Sequence, residues 1–391
     1  MKKNVAVALG LAVLSTTAFG SKARLGALGE DVNGTAYISD NRNIFYNPAQ
    51  VNNFKDMVTF EWGDTAANAD GVASPSAEGG FLRQGGNLVY GLHFGAEDAM
   101  VSNARTNADT DLPEQMNNWD FFIGGDAGMQ WGAGFTYGKF SKTNEDDAAN
   151  TDTETTSDLL RLRFGITQGD LQVAARLGLT NKAEITDNEV DANSVEVVGK
   201  SDMDINAAYH FNDMYFLFDY TAMAFEAEND ADTLDKQYKY NSTSVGVAKL
   251  QKVNDKARAN YKIAYVMDSS KNVNYVEATT AAGADTANNS LAATLGIEVD
   301  ANSWLTLRGS VQHNVLGNKT SEYEDGEIKE TIADSTVVNA GASLMFGELQ
   351  LDGIIGNQAD DASVDGANTA AGNGSLRSDV LMSRVSMTYR F

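Results

Sequence analysis

Apolar and polar residues alternate along most of the chain with a period of two. Residues 203–211 read MDINAAYHF, with an apolar residue at every odd position. Residues 214–222 read MYFLFDYTA, with an apolar residue at every even position. Because successive side chains of a strand point to opposite faces, this pattern predicts strands with one apolar and one polar face. No long segment has the period near 3.6 of an amphipathic helix.

Short and long connections alternate between these segments. Clusters of turn-forming residues predict short turns at Gln84–Asn87, Asp126–Gly128, Thr167–Asp170, Asn212–Asp213, Lys252–Lys256, Asp300–Trp304 and Gly347–Glu348. Longer connections separate the resulting hairpins, and the second and third of them are residues 96–118 and 141–157. This order predicts about sixteen antiparallel strands between Met57 and Phe391, with all the short turns at one end.

The turns also predict which residues lie opposite each other. The turn after Phe211 places Phe211 opposite Met214, so that apolar residues face apolar residues along that hairpin. The turn around Gly169 places Arg161 opposite Arg176. Like charges directly opposite each other destabilise a sheet, so this pair needs water or carboxylates beside it.

The polar face carries too many charges for a dry core. The chain has 391 residues and a formal net charge of −25. No run after the N-terminus approaches the ~18 apolar residues of a membrane-spanning helix. A sheet closed on itself, with lipid outside and water inside, fits these features better than a two-layer sandwich. The predicted fold class is therefore all-β: a closed antiparallel transmembrane β-barrel of about 16 strands, with short periplasmic turns and long extracellular loops.

The first twenty residues have the composition of a secretory signal peptide. Residues 1–3 are basic at two positions, residues 5–14 are apolar, and Ala18 and Gly20 are the small residues that precede a cleavage site. We therefore predict three segments: a signal peptide at 1–20, an N-terminal periplasmic arm or plug at 21–56, and the barrel at 57–391.

The last strand points to a known class of barrel. Residues 381–391 read LMSRVSMTYRF and alternate up to a terminal Phe. This resembles the C-terminal signature of Gram-negative outer-membrane barrels, which the barrel-insertion machinery reads. Residues 57–391 are similar in architecture to the general porin family. The resemblance implies a water-filled channel for passive diffusion of ions and small hydrophilic solutes. It also implies contact with outer-membrane lipid and lipopolysaccharide and, in many members, a homotrimer.

In that family the third long loop commonly folds into the pore and faces arginines of the wall. Here residues 141–157 carry acidic residues, and the hairpin that follows carries three arginines. We hypothesise a constriction between them; the alternative is a solvated surface loop and arginines that only keep the wall wet. The second long connection, residues 96–118, contains apolar residues and is a rival plug. The predicted pore-lining residues are Arg161, Arg163, Arg176, Arg258, Lys262, Arg308, Arg384, Glu145, Asp146 and Asp147.

The segment before the barrel leaves two other functions open. Residues 43–50, NIFYNPAQ, resemble part of the pre-barrel hatch of the long-chain fatty-acid transporter family. That resemblance implies a plugged outer-membrane transporter for hydrophobic solutes. A structural or adhesive barrel is the other alternative. Apolar residues are sparse on the predicted inner face, and this favours the porin, because a site for a hydrophobic ligand needs an apolar lining.

Other chemistries have little support in the sequence. The chain has no cysteine, so disulfides and thiolate chemistry are excluded. Its excess of acidic over basic residues argues against a nucleic-acid partner. The three histidines have no evident Ser or Asp partner, so we predict no enzymatic activity and no cofactor. Residues 187–196 lack the glycine of a calcium loop, so we predict no metal site.

Overall fold

The computed structural model describes most of the chain after the predicted signal peptide. The described residues are 20–62, 77–97, 101–102, 112, 115, 117–146, 151–187, 194–229, 235–273, 285–323, 326–331, 336–357 and 381–391. Residues 1–19 of the predicted signal peptide lie outside them, as does Asp147. None of the helices in the described part is long and apolar enough to cross a membrane.

Within the described residues, three short helical elements precede the strands. These are α1 (Lys22–Ala27), α2 (Asn43–Tyr46) and a 3₁₀-helix (Pro48–Asn53). Ser21 caps α1, since its hydroxyl accepts a hydrogen bond from the Arg24 amide at 2.9 Å. Asn47 caps the 3₁₀-helix in the same way, and Pro48 provides a helix-compatible φ angle at its first position.

Seventeen strands follow these helices. They are β1 (Met57–Trp62), β2 (Ala77–Gly85), β3 (Leu88–Ala96), β4 (Asn118–Asp126), β5 (Gln130–Asp146), β6 (Thr151–Gln168), β7 (Leu171–Asp187), β8 (Val195–Phe211), β9 (Met214–Asn229), β10 (Asp235–Asn254), β11 (Ala257–Val273), β12 (Asp285–Asp300), β13 (Leu305–Tyr323), β14 (Gly326–Thr331), β15 (Thr336–Phe346), β16 (Leu349–Asn357) and β17 (Leu381–Arg390).

Sixteen of these strands form one closed antiparallel barrel. Each strand pairs with the next along the chain, and β1 pairs with β17, from Met57 opposite Arg390 to Trp62 opposite Val385. The short strand β14 pairs only with the outer part of β13, while the rest of β13 pairs with β15. The predicted sixteen-stranded closed barrel is therefore confirmed.

The predicted register is right in one hairpin and wrong in another. Phe211 lies opposite Met214, as predicted. The turn between β6 and β7 contains only two residues, and Gly169 at its first position has a φ of 57°. The ladder is therefore displaced by two residues, so that Arg163, not Arg161, lies opposite Arg176. The error came from assigning four residues to this turn where glycine allows two.

The third long connection is also shorter than predicted. Its residues 141–146 and 151–157 are paired strand residues, and the β5–β6 ladder continues as far as Asp146 opposite Thr151. The described part of this segment therefore extends the wall as a hairpin. The prediction of a loop that folds into the pore is wrong for these residues. Ser or Thr occupies every second position there (141, 143, 151, 153, 155 and 157), and such a segment can pair as a strand once the neighbouring ladder supports it.

The two faces of the barrel have opposite character. The outer face exposes large apolar side chains on many strands, such as Phe164, Phe216, Ile263 and Leu307. The inner face buries polar and charged side chains. We call the end of the barrel with the two- to four-residue turns the short-turn end, and the opposite end the long-connection end.

Two bulges exchange the faces near the long-connection end. The ladder between β6 and β7 skips Leu179, and the ladder between β8 and β9 skips Lys200. An extra residue reverses the alternation beyond it. As a result Ala183 and Val197 point inward and are fully buried.

Candidate functional site

Residues 20–56, which we call the N-terminal segment, are packed against the inner face. Leu25, Ala49 and Val51 have no exposed surface. Ala23, Ala27 and Ile354 form one of the small apolar clusters between the segment and the wall. The segment therefore has its own core contacts inside the barrel.

The N-terminal segment reaches all sixteen wall strands. Its contacts are with Glu61 on β1, Glu78 on β2, His93 on β3, Phe122 on β4, Trp131 on β5, Ile166 on β6, Gln172 on β7, Asn206 on β8, Asp219 on β9, Ala248 on β10, Lys262 on β11, Glu298 on β12 and Asp352 on β16, while α1 lies against β13, β15 and β17. These contacts lie in the half of the barrel near the short-turn end. The segment thus crosses the inside of the barrel there.

Glycines make room for the segment on one side of the wall. Gly124, Gly132 and Gly165 lie on the inward faces of β4, β5 and β6. A Cβ atom at Gly132 would overlap the backbone of Pro48, and a Cβ at Gly165 would overlap the side chain of Asn47. The 3₁₀-helix therefore lies directly on the backbone of these strands.

We expect the substitution Gly132→Ala to loosen the N-terminal segment. The added methyl group must displace Pro48, and overpacking of this kind costs about 1–3 kcal/mol. The measurement is limited proteolysis of residues 20–56 in folded protein, with urea unfolding beside it. Gly309→Ala is the control, since a Cβ there meets only the Asn339 carbonyl oxygen at 3.4 Å. Equal proteolysis rates for the two variants would contradict this role of Gly132.

Ion pairs join the segment to the wall. Arg24 donates to Glu298 at 3.0 Å and to Asp40 at 3.1 Å, and all three groups are buried. Lys22 pairs with Glu78, and Arg42 lies 3.4 Å from Glu78 as well. Breaking a buried ion pair by removing one partner is costly, so these contacts hold the segment in one position.

Several predicted pore-lining residues belong to this network. Arg308 pairs with Glu298 and lies 3.1 Å from Asp352. Arg258 lies 3.2 Å from Glu298, and Lys262 lies 2.6 Å from Glu30 of the N-terminal segment. These three cations therefore face the segment and the carboxylates around it.

The arginines of the predicted constriction form a second charged group. Arg161 pairs with Asp202, Arg163 lies 2.6 Å from Asp120, and Arg176 pairs with Asp204; all six residues are on the wall strands β4, β6, β7 and β8. We call these six residues the charged belt. The shared face of the three arginines was predicted, but their carboxylate partners were expected in residues 141–157.

The remaining predicted residues lie apart from the belt. Arg384 is half-buried on β17, opposite Ile354. Glu145 and Asp146 belong to β5, and only their backbone is described. The sequence reasoning missed Asp120 and Asp202 as partners. Both could have been found from their polar phase, Asp120 on β4 and Asp202 on β8, where it directly precedes the alternating run 203–211.

An apolar cluster lines the inner face toward the long-connection end. We call it the outer apolar cluster, and its buried members are Val101, Leu112, Ala183, Ile185, Val195, Val197, Met223, Phe225 and Ala227. Tyr238 and Tyr240 pack against it. Val101 and Leu112 come from the second long connection, so part of that rival plug does pack against the wall. The prediction that apolar inner positions are sparse was wrong. The bulges turn Ala183 and Val197 inward, and Met223, Phe225 and Ala227 lie on the regular inward phase of β9.

The closed ladder and the apolar outer surface define the class of protein. In a bilayer every backbone polar group must be paired, and a closed barrel achieves this without edges. An apolar outer face with a polar inner face is the arrangement of bacterial outer-membrane barrels. The chain is an outer-membrane β-barrel, and outer-membrane lipid contacts its outer face.

Comparison with known proteins adds little to this assignment. No family model and no curated protein sequence matches the chain. A FadL homologue of Pseudomonas aeruginosa has 12% identity and a TM-score of 0.43, over 95% of this chain and 98% of its own. The toluene transporter TodX of P. putida has 12% identity and a TM-score of 0.35, over 92% and 96%. Trimeric OmpT of Vibrio cholerae has 14% identity and a TM-score of 0.34, over 86% and 97%. The class therefore rests on the strand ladder and the apolar outer face.

Proposed function

We propose that the protein is a plugged outer-membrane transporter for small hydrophobic or amphipathic molecules. The observation that carries the proposal is the N-terminal segment, which reaches all sixteen wall strands. A segment held by buried ion pairs across the barrel opposes free diffusion of hydrophilic solutes. The other alternative, a purely structural or adhesive barrel, does not explain why a segment is held across the interior by buried ion pairs.

The outer apolar cluster supports a hydrophobic solute. Val197, Phe225 and Ala227 have essentially no exposed surface, and Val101 and Leu112 cover the wall residues of the cluster. A solute that replaced these two residues would find an apolar wall beside the two half-buried tyrosines. Burying about 200 Å² of its apolar surface would contribute about 5 kcal/mol. Between the cluster and the N-terminal segment lies the charged belt, which suits the polar end of an amphipathic molecule.

The double substitution Val195→Thr/Val197→Thr tests the role of the cluster. It keeps the side-chain volume but adds hydroxyl groups to an apolar surface, at a cost of about 1–3 kcal/mol for a hydroxyl without a partner. We expect the Kd of a fluorescent fatty-acid probe to rise about tenfold, since ~1.4 kcal/mol corresponds to a factor of ten. Val253→Thr, at an exposed position near the short-turn end, is the matched control.

A general porin is the second candidate function, and the polar inner wall favours it. In that case the segment would have to leave the barrel or allow passage beside it. Planar-bilayer recording separates the two candidates. A steady ion current from intact folded protein, with no saturable binding of the fatty-acid probe, would establish the porin and contradict the transporter.

Further expectations accompany the proposed function. Recognition of the last strand, β17, by the barrel-insertion machinery stays a prediction. So do a homotrimer, contact with lipopolysaccharide and the lack of enzymatic activity.

A further inference from the structure

Ser21 contacts two buried carboxylates. Its side chain donates a hydrogen bond to Asp352 at 3.1 Å, and its backbone nitrogen donates to Asp40 at 3.2 Å. Ser21 and Asp40 have no exposed surface, and Asp352 is 2% exposed. One of the carboxylates thus belongs to the N-terminal segment and the other to β16.

The carboxylates around Ser21 share their cations. The buried carboxylates of the described network are Asp40, Asp352, Glu298, Glu61 and Glu78. Arg24 pairs with both Asp40 and Glu298, and Arg308 pairs with both Asp352 and Glu298. Within the described network Asp40 and Asp352 therefore each share their cation with Glu298, in a buried place where incomplete compensation of a charge is costly.

Asp40 shows the effect of burial at this place. Burial raises the pKa of Asp40 to about 6, although Arg24 lowers it. The cost of burying the carboxylate therefore outweighs the positive charge of Arg24. An additional cation within hydrogen-bonding distance would favour the ionised form.

We propose that the α-ammonium group of Ser21, released when residues 1–20 are removed, binds between Asp40 and Asp352 and locks the N-terminal segment in the barrel. The nitrogen already lies where an ammonium group would donate to Asp40. Cleavage after Gly20 gives the Ser21 nitrogen a positive charge, with water as the second reactant and the carboxyl group remaining on Gly20.

Gly20 lies at the same buried point as the Ser21 nitrogen. It is buried against Asp40, and any side chain at residue 20 would overlap that carboxylate. The bond that cleavage breaks therefore lies beside Asp40, and this holds whichever solute the barrel carries.

The first test identifies and probes the mature N-terminus of the full processed protein. Mass spectrometry is expected to show that the chain begins at Ser21. Periodate oxidises an N-terminal serine through its adjacent amino and hydroxyl groups, and here both are buried. We expect oxidation in the folded protein to be at least an order of magnitude slower than in urea-unfolded protein. A different first residue, or equal rates, would overturn the proposal.

Two variants test the partners of the ammonium group. Asp40→Asn and Asp352→Asn are expected to accelerate oxidation and to lower the pKa of the Ser21 amine, measured from the pH dependence of its acylation. Asp255→Asn is the matched control, since its side chain is 95% exposed. An unpaired α-amine has an ordinary pKa of ~7.7–8.0. If Asp40→Asn and Asp352→Asn fold, as judged by heat-modifiable migration, but have the same amine pKa as the unaltered protein, the ammonium lock is refuted. If neither variant folds, the pKa measured in the unaltered protein decides: a value above that range supports the lock, and an ordinary value refutes it.

Discussion

Deletion of residues 22–55 is expected to convert a barrel with little ion current into an open channel. The N-terminal segment crosses the barrel interior and contacts all sixteen strands, and a sixteen-stranded wall is wide enough to enclose water. Single-channel recording in planar bilayers should show an increase in conductance of at least an order of magnitude. Heat-modifiable migration on a gel checks that the shortened protein still forms a barrel.

The open channel should also prefer cations. The deletion removes Lys22, Arg24 and Arg42 but leaves Glu61, Glu78, Glu298 and Asp352 on the wall, where water can now solvate them. Reversal potentials in a salt gradient measure this preference. A deletion variant that folds and conducts no more than the intact protein would show that the segment is not the barrier, and the plugged transporter would then lose its main support.

The substitution Glu298→Gln is expected to have the largest effect of any single change in the network. Glu298 pairs with Arg24 and Arg308 and lies 3.2 Å from Arg258. Removing its charge leaves two buried guanidinium groups with fewer partners. Disrupting a buried ion pair in this way costs about 3–5 kcal/mol. The measurements are urea unfolding in detergent and the rate of proteolysis within residues 20–56.

Glu226→Gln provides the matched control for this experiment. Glu226 also forms an ion pair, with Lys200 at 2.8 Å, but both side chains are at least a third exposed. Exposed pairs of this kind contribute about 0–1 kcal/mol. If the two variants have the same stability and the same proteolysis rate, the buried network does not hold the segment in place.

The barrel was predictable because its signals are local. Alternation along a strand is visible within ten residues, and the turn residues Asn212 and Asp213 both accept positive φ angles. Their two-residue turn therefore predicted the register of β8 and β9. At Gly169 the turn was predicted at the right place, but it is two residues shorter than predicted. The bulges at Leu179 and Lys200 were not predicted, because a bulge depends on how two ladders fit together, which neither strand shows alone.

The candidate site was predictable only in part. Arg161, Arg163 and Arg176 were placed on one inner face from their spacing, and the register has Arg163 opposite Arg176. Their partners were not, because Asp120 and Asp202 come from strands far away in the sequence. The outer apolar cluster also escaped prediction. Its residues on β7 and β8 point inward only beyond the bulges, whereas those on β9 lie on the regular inward phase of that strand.

By itself, the sequence determined a closed antiparallel barrel with an apolar outside and a polar inside, since a period of two and short turns act between near neighbours. Only the tertiary structure decided what occupies the interior. Residues 20–56 lack a strong period, and their place depends on ion pairs such as Arg24 with Glu298, which are 274 residues apart. Contacts across such a distance exist only after the barrel has closed, because closure brings their partners together.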